Sequence, residues 1–119
     1  MNKKRVDGWL LKAKDALEKT GIAKDGVINR GYRGQISSFG AAVVMGSLTS
    51  AVAFFVEQGE SAVDRPRLLE SMYYVIFDNK VDAKDVLMYV CENDSKELRE
   101  KFVDAAIAVK LAMNFFELT

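Results

Sequence analysis

Arg5, Lys12 and Lys19 recur every seven residues, and Arg30 and Arg33 follow them. On a helix that spacing puts the first three on one stripe, and a stripe of cations can track a phosphate backbone. Each phosphate neutralised releases condensed counterions, which favours RNA binding without any reading of base sequence. These five residues form the candidate RNA-binding set. Asp15 stands inside the stripe, and a solvated helix face carries lysines in the same way. Stacking aromatics, the other half of single-strand recognition, are sparse: only Trp9 and Tyr32 lie nearby, and Trp9 is expected to pack inward beside Leu10.

Other chemistry has little material. The chain has no histidine, so the commonest general base and metal ligand is missing, and a Ser or Cys nucleophile would depend on Lys, Asp or Glu for activation. The single Cys91 cannot form an internal disulfide and, beside Leu87 and Val90, is expected to be a buried small hydrophobe. Asp78, Asp82 and Asp85 fall close together, but Lys80 and Lys84 interrupt them. As a calcium loop the segment fails, with Lys80 at the third position, Ala83 at the sixth and Tyr89 at the twelfth. Helix capping accounts for these acids. The Gly31–Gly34 element lacks the longer glycine pattern of a phosphate loop. No catalytic residue, metal ligand or cofactor is assigned, and the chain reads as a non-enzyme.

A scaffold of 119 residues with 50% hydrophobic content is enough for one core and too small for two, so residues 1–119 are expected to form a single helical domain. Lone cysteine usage fits a reducing cytoplasm, and the charged residues after Lys3, Lys4 and Arg5 leave no signal-peptide hydrophobic region. Lys plus Arg and Asp plus Glu each number 17, yet they are unevenly placed: the chain up to Arg33 carries a net +5 and the remainder −5.

One proline and several periodic apolar segments predict an all-α bundle of about five to six helices around a long central apolar helix. The first helix is expected over Asn2–Thr20, burying Val6, Leu10, Ala13 and Leu17 and ending at Gly21. Ile22–Arg30 reads as a connection with a short turn, and Tyr32–Gln58 as the long second helix. Asp64 and Pro66 mark a third, Arg65–Phe77, with Leu68 or Leu69, Met72, Tyr73 and Ile76 inward. Its MYYVIF end could form a strand, but helix is preferred because no partner strand is evident. Asp82 with Asp85 caps a short fourth helix to Glu92, and Asp94 with Glu97 the last. That last helix carries the seam Leu98, Phe102, Ala105, Val109, Ala112 and Phe116, with Ile107, Leu111 and Phe115 outside it.

Ile36–Val56 is free of charge for 21 residues, nominally long enough to span a membrane. Seven of these are Ser, Thr or Gly, which favours a soluble helix whose small residues let neighbours approach closely.

The segment YRGQISSFGAAVVMGSLTSAVAFF, Tyr32–Phe55, resembles the signature helix of the small-subunit family of the type III-B CRISPR (Cmr) effector complex. The likeness rests on Tyr32, Arg33, Gly46 with Ser47 before Leu48, and Ala51, Ala53 and Phe54. Ala105–Phe116 looks like that family's final helix, and the basic first helix sits where the family has one. The sequence departs at three points: the family commonly has Lys where Ser37 stands, Pro where Gly40 stands and Gly where Ser47 stands. The resemblance implies a non-catalytic subunit that stacks with copies of itself into an inner filament, contacts other Cmr subunits, and lines the groove holding the guide RNA/target RNA duplex. If the +5 and −5 regions lie at opposite ends, head-to-tail charge pairing would propagate such a filament. The rival expectation is a helical protein-interaction adaptor with no nucleic-acid contact, binding one partner through the apolar end of the last helix.

Overall fold

The computed structural model describes residues 1–59 and 63–119. Helix α1 spans Lys3–Lys19, started by the Asn2 side chain accepting from the Arg5 N–H at 3.0 Å and ended at Thr20 and the left-handed Gly21, φ +80°. Val6, Ala13, Ala16 and Leu17 are buried, while Leu10 is only half-buried. Ala16 takes the place expected of Leu10 because α1 is gripped from two sides, by the fourth and sixth helices, which rotates the buried stripe.

The connection after α1 is a hairpin. Strands β1 (Ala23–Lys24) and β2 (Val27–Ile28) pair antiparallel around Asp25 and Gly26, both at positive φ (53° and 78°), as a two-residue mirror-image turn requires. A third strand, β3 (Glu117–Leu118), pairs parallel with β2, giving the order β1-β2-β3. The all-α expectation holds, with six helices, and one miniature sheet is added to it. Its strands are too short for alternation to mark them, and the partner of β2 lies at the far end of the chain.

The expected helix Tyr32–Gln58 is two helices, α2 (Gly31–Met45) and α3 (Leu48–Val56). The Gly46 N–H closes α2 on the Ala42 carbonyl at 2.9 Å, and the Ser47 hydroxyl accepts from the Ser50 N–H at 3.0 Å, starting α3. A serine that bonds the backbone three residues on competes with helix continuation, so it makes a better start than middle. Replacing Ser47 by Ala is expected to lower unfolding free energy by about 1 kcal/mol in urea titrations. The break also removes the 21-residue rod: no helix among the described residues is long and apolar enough to cross a membrane.

The central helix is instead α4, Arg65–Phe77, which packs against α1, α2, α3 and the two later helices. Its bounds are those that Asp64 and Pro66 predict: the Asp64 carboxylate accepts from the Arg67 N–H at 3.2 Å, and Asp78 ends the helix in the left-handed region, φ 56°. Being covered on several sides, α4 buries Leu68, Leu69, Met72, Tyr74 and Val75, whereas Tyr73 and Ile76, expected inward, are half-buried. Ser71, also buried, shares a 3.0 Å hydroxyl–hydroxyl bond with Thr20 of α1.

Helix α5 (Ala83–Asn93) begins with the Asp82–Asp85 capping box, in which the Asp85 carboxylate accepts from the Asp82 N–H at 3.3 Å. Glu70 of α4 supplies a second cap, accepting from the Ala83 N–H at 3.2 Å. Burial pushes the Glu70 carboxyl above its ordinary range, against the opposing pull of that N–H. A raised folded-state pKa means that the group favours folding while protonated, and that this benefit is lost as pH rises through the carboxylate range. Glu70→Gln keeps an acceptor for Ala83 without the charge. Its melting temperature is expected to exceed that of the wild type by about 2 °C at pH 7, the difference vanishing below about pH 4.

Helix α6 (Lys96–Ala112) starts one residue later than expected, on Ser95, whose hydroxyl accepts from the Leu98 N–H at 3.0 Å. Leu98, Phe102, Ala105, Val109 and Ala112 are buried as the seam requires. The helix stops at Ala112, and a turn of 3-10 helix, Met113–Phe115, leads to β3, leaving Phe116 half-buried and Leu111 and Phe115 exposed.

Candidate nucleic-acid interface

The five candidate cations do not form one patch. Arg5 turns inward: its Nη1 lies 3.2 Å from Oδ2 of Asp104, an α6 carboxylate that is only 3% exposed, and its guanidinium sits 5.7 Å from the Trp9 ring centre. The Asn2 N–H donates to the same carboxylate at 3.3 Å. Lys12 Nζ reaches 4.0 Å from the exposed Asp78. Lys19 Nζ donates to the Tyr74 hydroxyl at 3.0 Å and lies 3.6 Å from Asp15, while that hydroxyl donates to Asp15 at 2.8 Å. The Tyr74 bond and the Asp15 charge raise the Lys19 pKa, so this ammonium stays protonated. Asp15, which interrupts the stripe in sequence, is its local counter-ion in space. Two of these bridges, Arg5–Asp104 and Lys12–Asp78, also tie the basic segment to the acidic one, so the opposed charges partly neutralise each other within the fold.

Arg30 and Arg33 sit elsewhere, where β2 leads into α2. The Arg30 backbone N–H and Nε both donate to the Thr119 backbone oxygen, at 3.2 and 3.1 Å. Arg33 Nη1 donates to Asn114 Oδ1 at 3.4 Å. One turn along, Lys110 Nζ donates to the Ser37 hydroxyl at 2.7 Å, and that hydroxyl donates to the Arg33 carbonyl at 3.0 Å. Antiparallel α2 and α6 thereby bring three cations to one edge, Arg33 and Lys110 engaged by neutral side-chain oxygens and Arg30 by the Thr119 backbone oxygen. No ion pair to an acidic side chain joins them among the described residues. Lys110 was missed from sequence, although it is the one charge in the apolar run Ala105–Phe116.

Beyond Lys110 a groove runs between the two helices. One part, of about 530 Å³, is floored by Ile36, Gly40, Ala41, Ala106 and Ile107. It shares Val44 and Val103 with a second part, of about 490 Å³, that reaches Arg5, Arg99, Glu100 and Asp104. A Cβ added at Gly40 would meet nothing within 4 Å, and Val44 and Met45 are 74% and 88% exposed.

Cys91 is exposed rather than buried, on the solvent side of α5. Leu87 and Val90 turn inward on the same helix without carrying it with them, because 91 falls a quarter-turn past the buried stripe of Val86 and Val90. Among the described residues no three His, Cys, Asp or Glu side chains gather as a metal site would need. Asp78, Asp82 and Asp85 serve as helix caps. Gly31 and Gly34 lie in the first turn of α2. Comparison with known proteins finds no matching family model, no matching curated protein and no matching solved structure.

Proposed function

We propose that this chain is a non-catalytic subunit of a cytoplasmic RNA-handling assembly, working by surface contact. The assembly that its sequence resembles is the type III-B CRISPR effector, where it would take the place of the small filament subunit beside the guide RNA/target RNA duplex. The observation that carries the reading is the edge of Arg30, Arg33 and Lys110, none of which is paired with an acidic side chain among the described residues. Bonds to the Thr119 backbone oxygen, Asn114 and Ser37 hold these side chains in place, and the neutral acceptors of Arg33 and Lys110 leave their charge available to phosphates. Lys110 supports the resemblance at its weakest point, since it brings an ammonium to Ser37, where the resembled family commonly carries a lysine. RNA contact then moves from the α1 stripe to the α2–α6 edge.

One observation favours the adaptor reading without nucleic acid: Arg5, Lys12 and Lys19 all face carboxylates of this same chain. Purification of the tagged chain from its native cells, with identification of bound protein and RNA, separates the two. Recovery of a multi-subunit complex carrying short RNA is the expected result. A protein partner without RNA would replace the proposal with the adaptor.

A further inference from the structure

We infer that the α2–α6 groove is the docking site for an acidic, amphipathic helix of a partner protein, whether or not the chain touches RNA. The groove follows α6 from Arg99 to Lys110, twelve residues and about three turns, a rise of about 16 Å. That length suits one short helix laid in the groove between α2 and α6, with apolar side chains at i, i+3, i+4 and i+7 facing its floor. The floor permits it. Gly40 and Ala41 leave room for a close approach, while Val44 and Ile107 offer apolar contact.

Charge selects the kind of helix. Arg5 and Asp104 satisfy each other, which leaves Arg99, with Met1 and Glu100 in the same lining, at one end and Lys110, with no acidic side chain in its lining, at the other. Neither Arg99 nor Lys110 has an ion pair among the described residues, and nothing acidic lies on α2. An occupant with Asp or Glu near both ends therefore gains complementary contacts, while a basic one is repelled. A second copy docking groove to groove would bring these cations together across a two-fold axis, so the like-charged rim opposes it. RNA is disfavoured as occupant because the groove offers no aromatic side chain on which bases could stack.

The test is a selection from a displayed library of random peptides of about 16 residues, using the full chain as target and Val44→Glu as counter-target. Val44 is exposed, so this variant keeps its core; circular dichroism and thermal unfolding verify it. Enriched peptides are expected to show helical apolar spacing with acids at both ends. Their synthetic versions should bind Val44→Glu and the double variant Arg99→Glu/Lys110→Glu at least about tenfold more weakly than wild type. Arg30→Glu/Arg33→Glu should change that affinity by less than about twofold, which separates this site from the RNA edge. No enrichment over Val44→Glu, or enrichment of peptides without acids, overturns the proposal. So does concentration-dependent sedimentation of the wild type that Val44→Glu abolishes, which would make the occupant a second copy.

Discussion

Arg5→Ala is expected to lower the unfolding free energy by about 3 kcal/mol, a large share of the total for a domain of this size. The loss arises at Asp104 rather than at Arg5. Asp104 is 3% exposed, and without the guanidinium it keeps, among the described residues, only the Asn2 N–H, at 3.3 to 3.4 Å, as partner for a buried charge. Removing one member of a buried pair leaves the other uncompensated, which costs more than the pair contributes when intact. Arg5 also loses its position over Trp9, a further contribution of about 0.5 kcal/mol. The partial exposure of Arg5 places the total at the lower end of the usual range. Arg5→Ala/Asp104→Ala, which removes both charges, should recover much of the loss. Lys12→Ala, whose partner Asp78 is 68% exposed, should change stability by less than about 0.5 kcal/mol. Urea denaturation of the four proteins measures these differences. A loss below about 1 kcal/mol for Arg5→Ala would return Arg5 to the surface cations and to the RNA-binding set.

The contrast between Arg5 and Lys12 shows how far spacing can be read. A seven-residue repeat establishes that two side chains share a helix face, but says nothing of what lies opposite. Asp104 stands 99 residues from Arg5, and no local pattern connects them. Where a feature is decided within a few residues, the sequence is explicit. Asp64 and Pro66 set the start of α4, Asp82 and Asp85 that of α5, and the seam from Leu98 to Ala112 the buried side of α6. Gly46 and Ser47 are legible too, but their types fit small residues inside a continuous helix equally well. The choice between a packed glycine and a helix break depends on whether the Ser47 hydroxyl turns back to the Ser50 N–H. The β2–β3 pairing and the arrival of Lys110 at Ser37 depend on the path of the whole chain. That path also carries the functional reading from α1 to the α2–α6 edge.

Charge reversal at that edge, Arg30→Glu/Arg33→Glu/Lys110→Glu, is expected to weaken binding of a single-stranded RNA of about 20 nucleotides by at least 100-fold at low salt. Each cation in contact with a single-stranded phosphate contributes about 0.7 to the slope of log affinity against log salt, so the slope should fall by about two. The loss should be similar for RNAs of different sequence, because side chains that meet phosphates read no bases. Lys12→Glu/Lys19→Glu supplies the comparison. Those lysines already face Asp78 and Asp15, so a phosphate would have to compete with carboxylates that are in place, and the variant should lose less than about threefold. Equal losses in the two variants would spread the footprint over both regions, and a larger loss in the α1 variant would restore the stripe as the interface. If the wild type shows no salt-dependent RNA affinity, the unpaired edge has no phosphate to meet, and the adaptor reading takes precedence. Stability decides whether a loss of binding belongs to the interface. Among the described residues Arg30, Arg33 and Lys110 have no ion pair to an acidic side chain and none is buried, so reversing them should leave the unfolding midpoint within about 2 °C of wild type, unlike the change at Arg5.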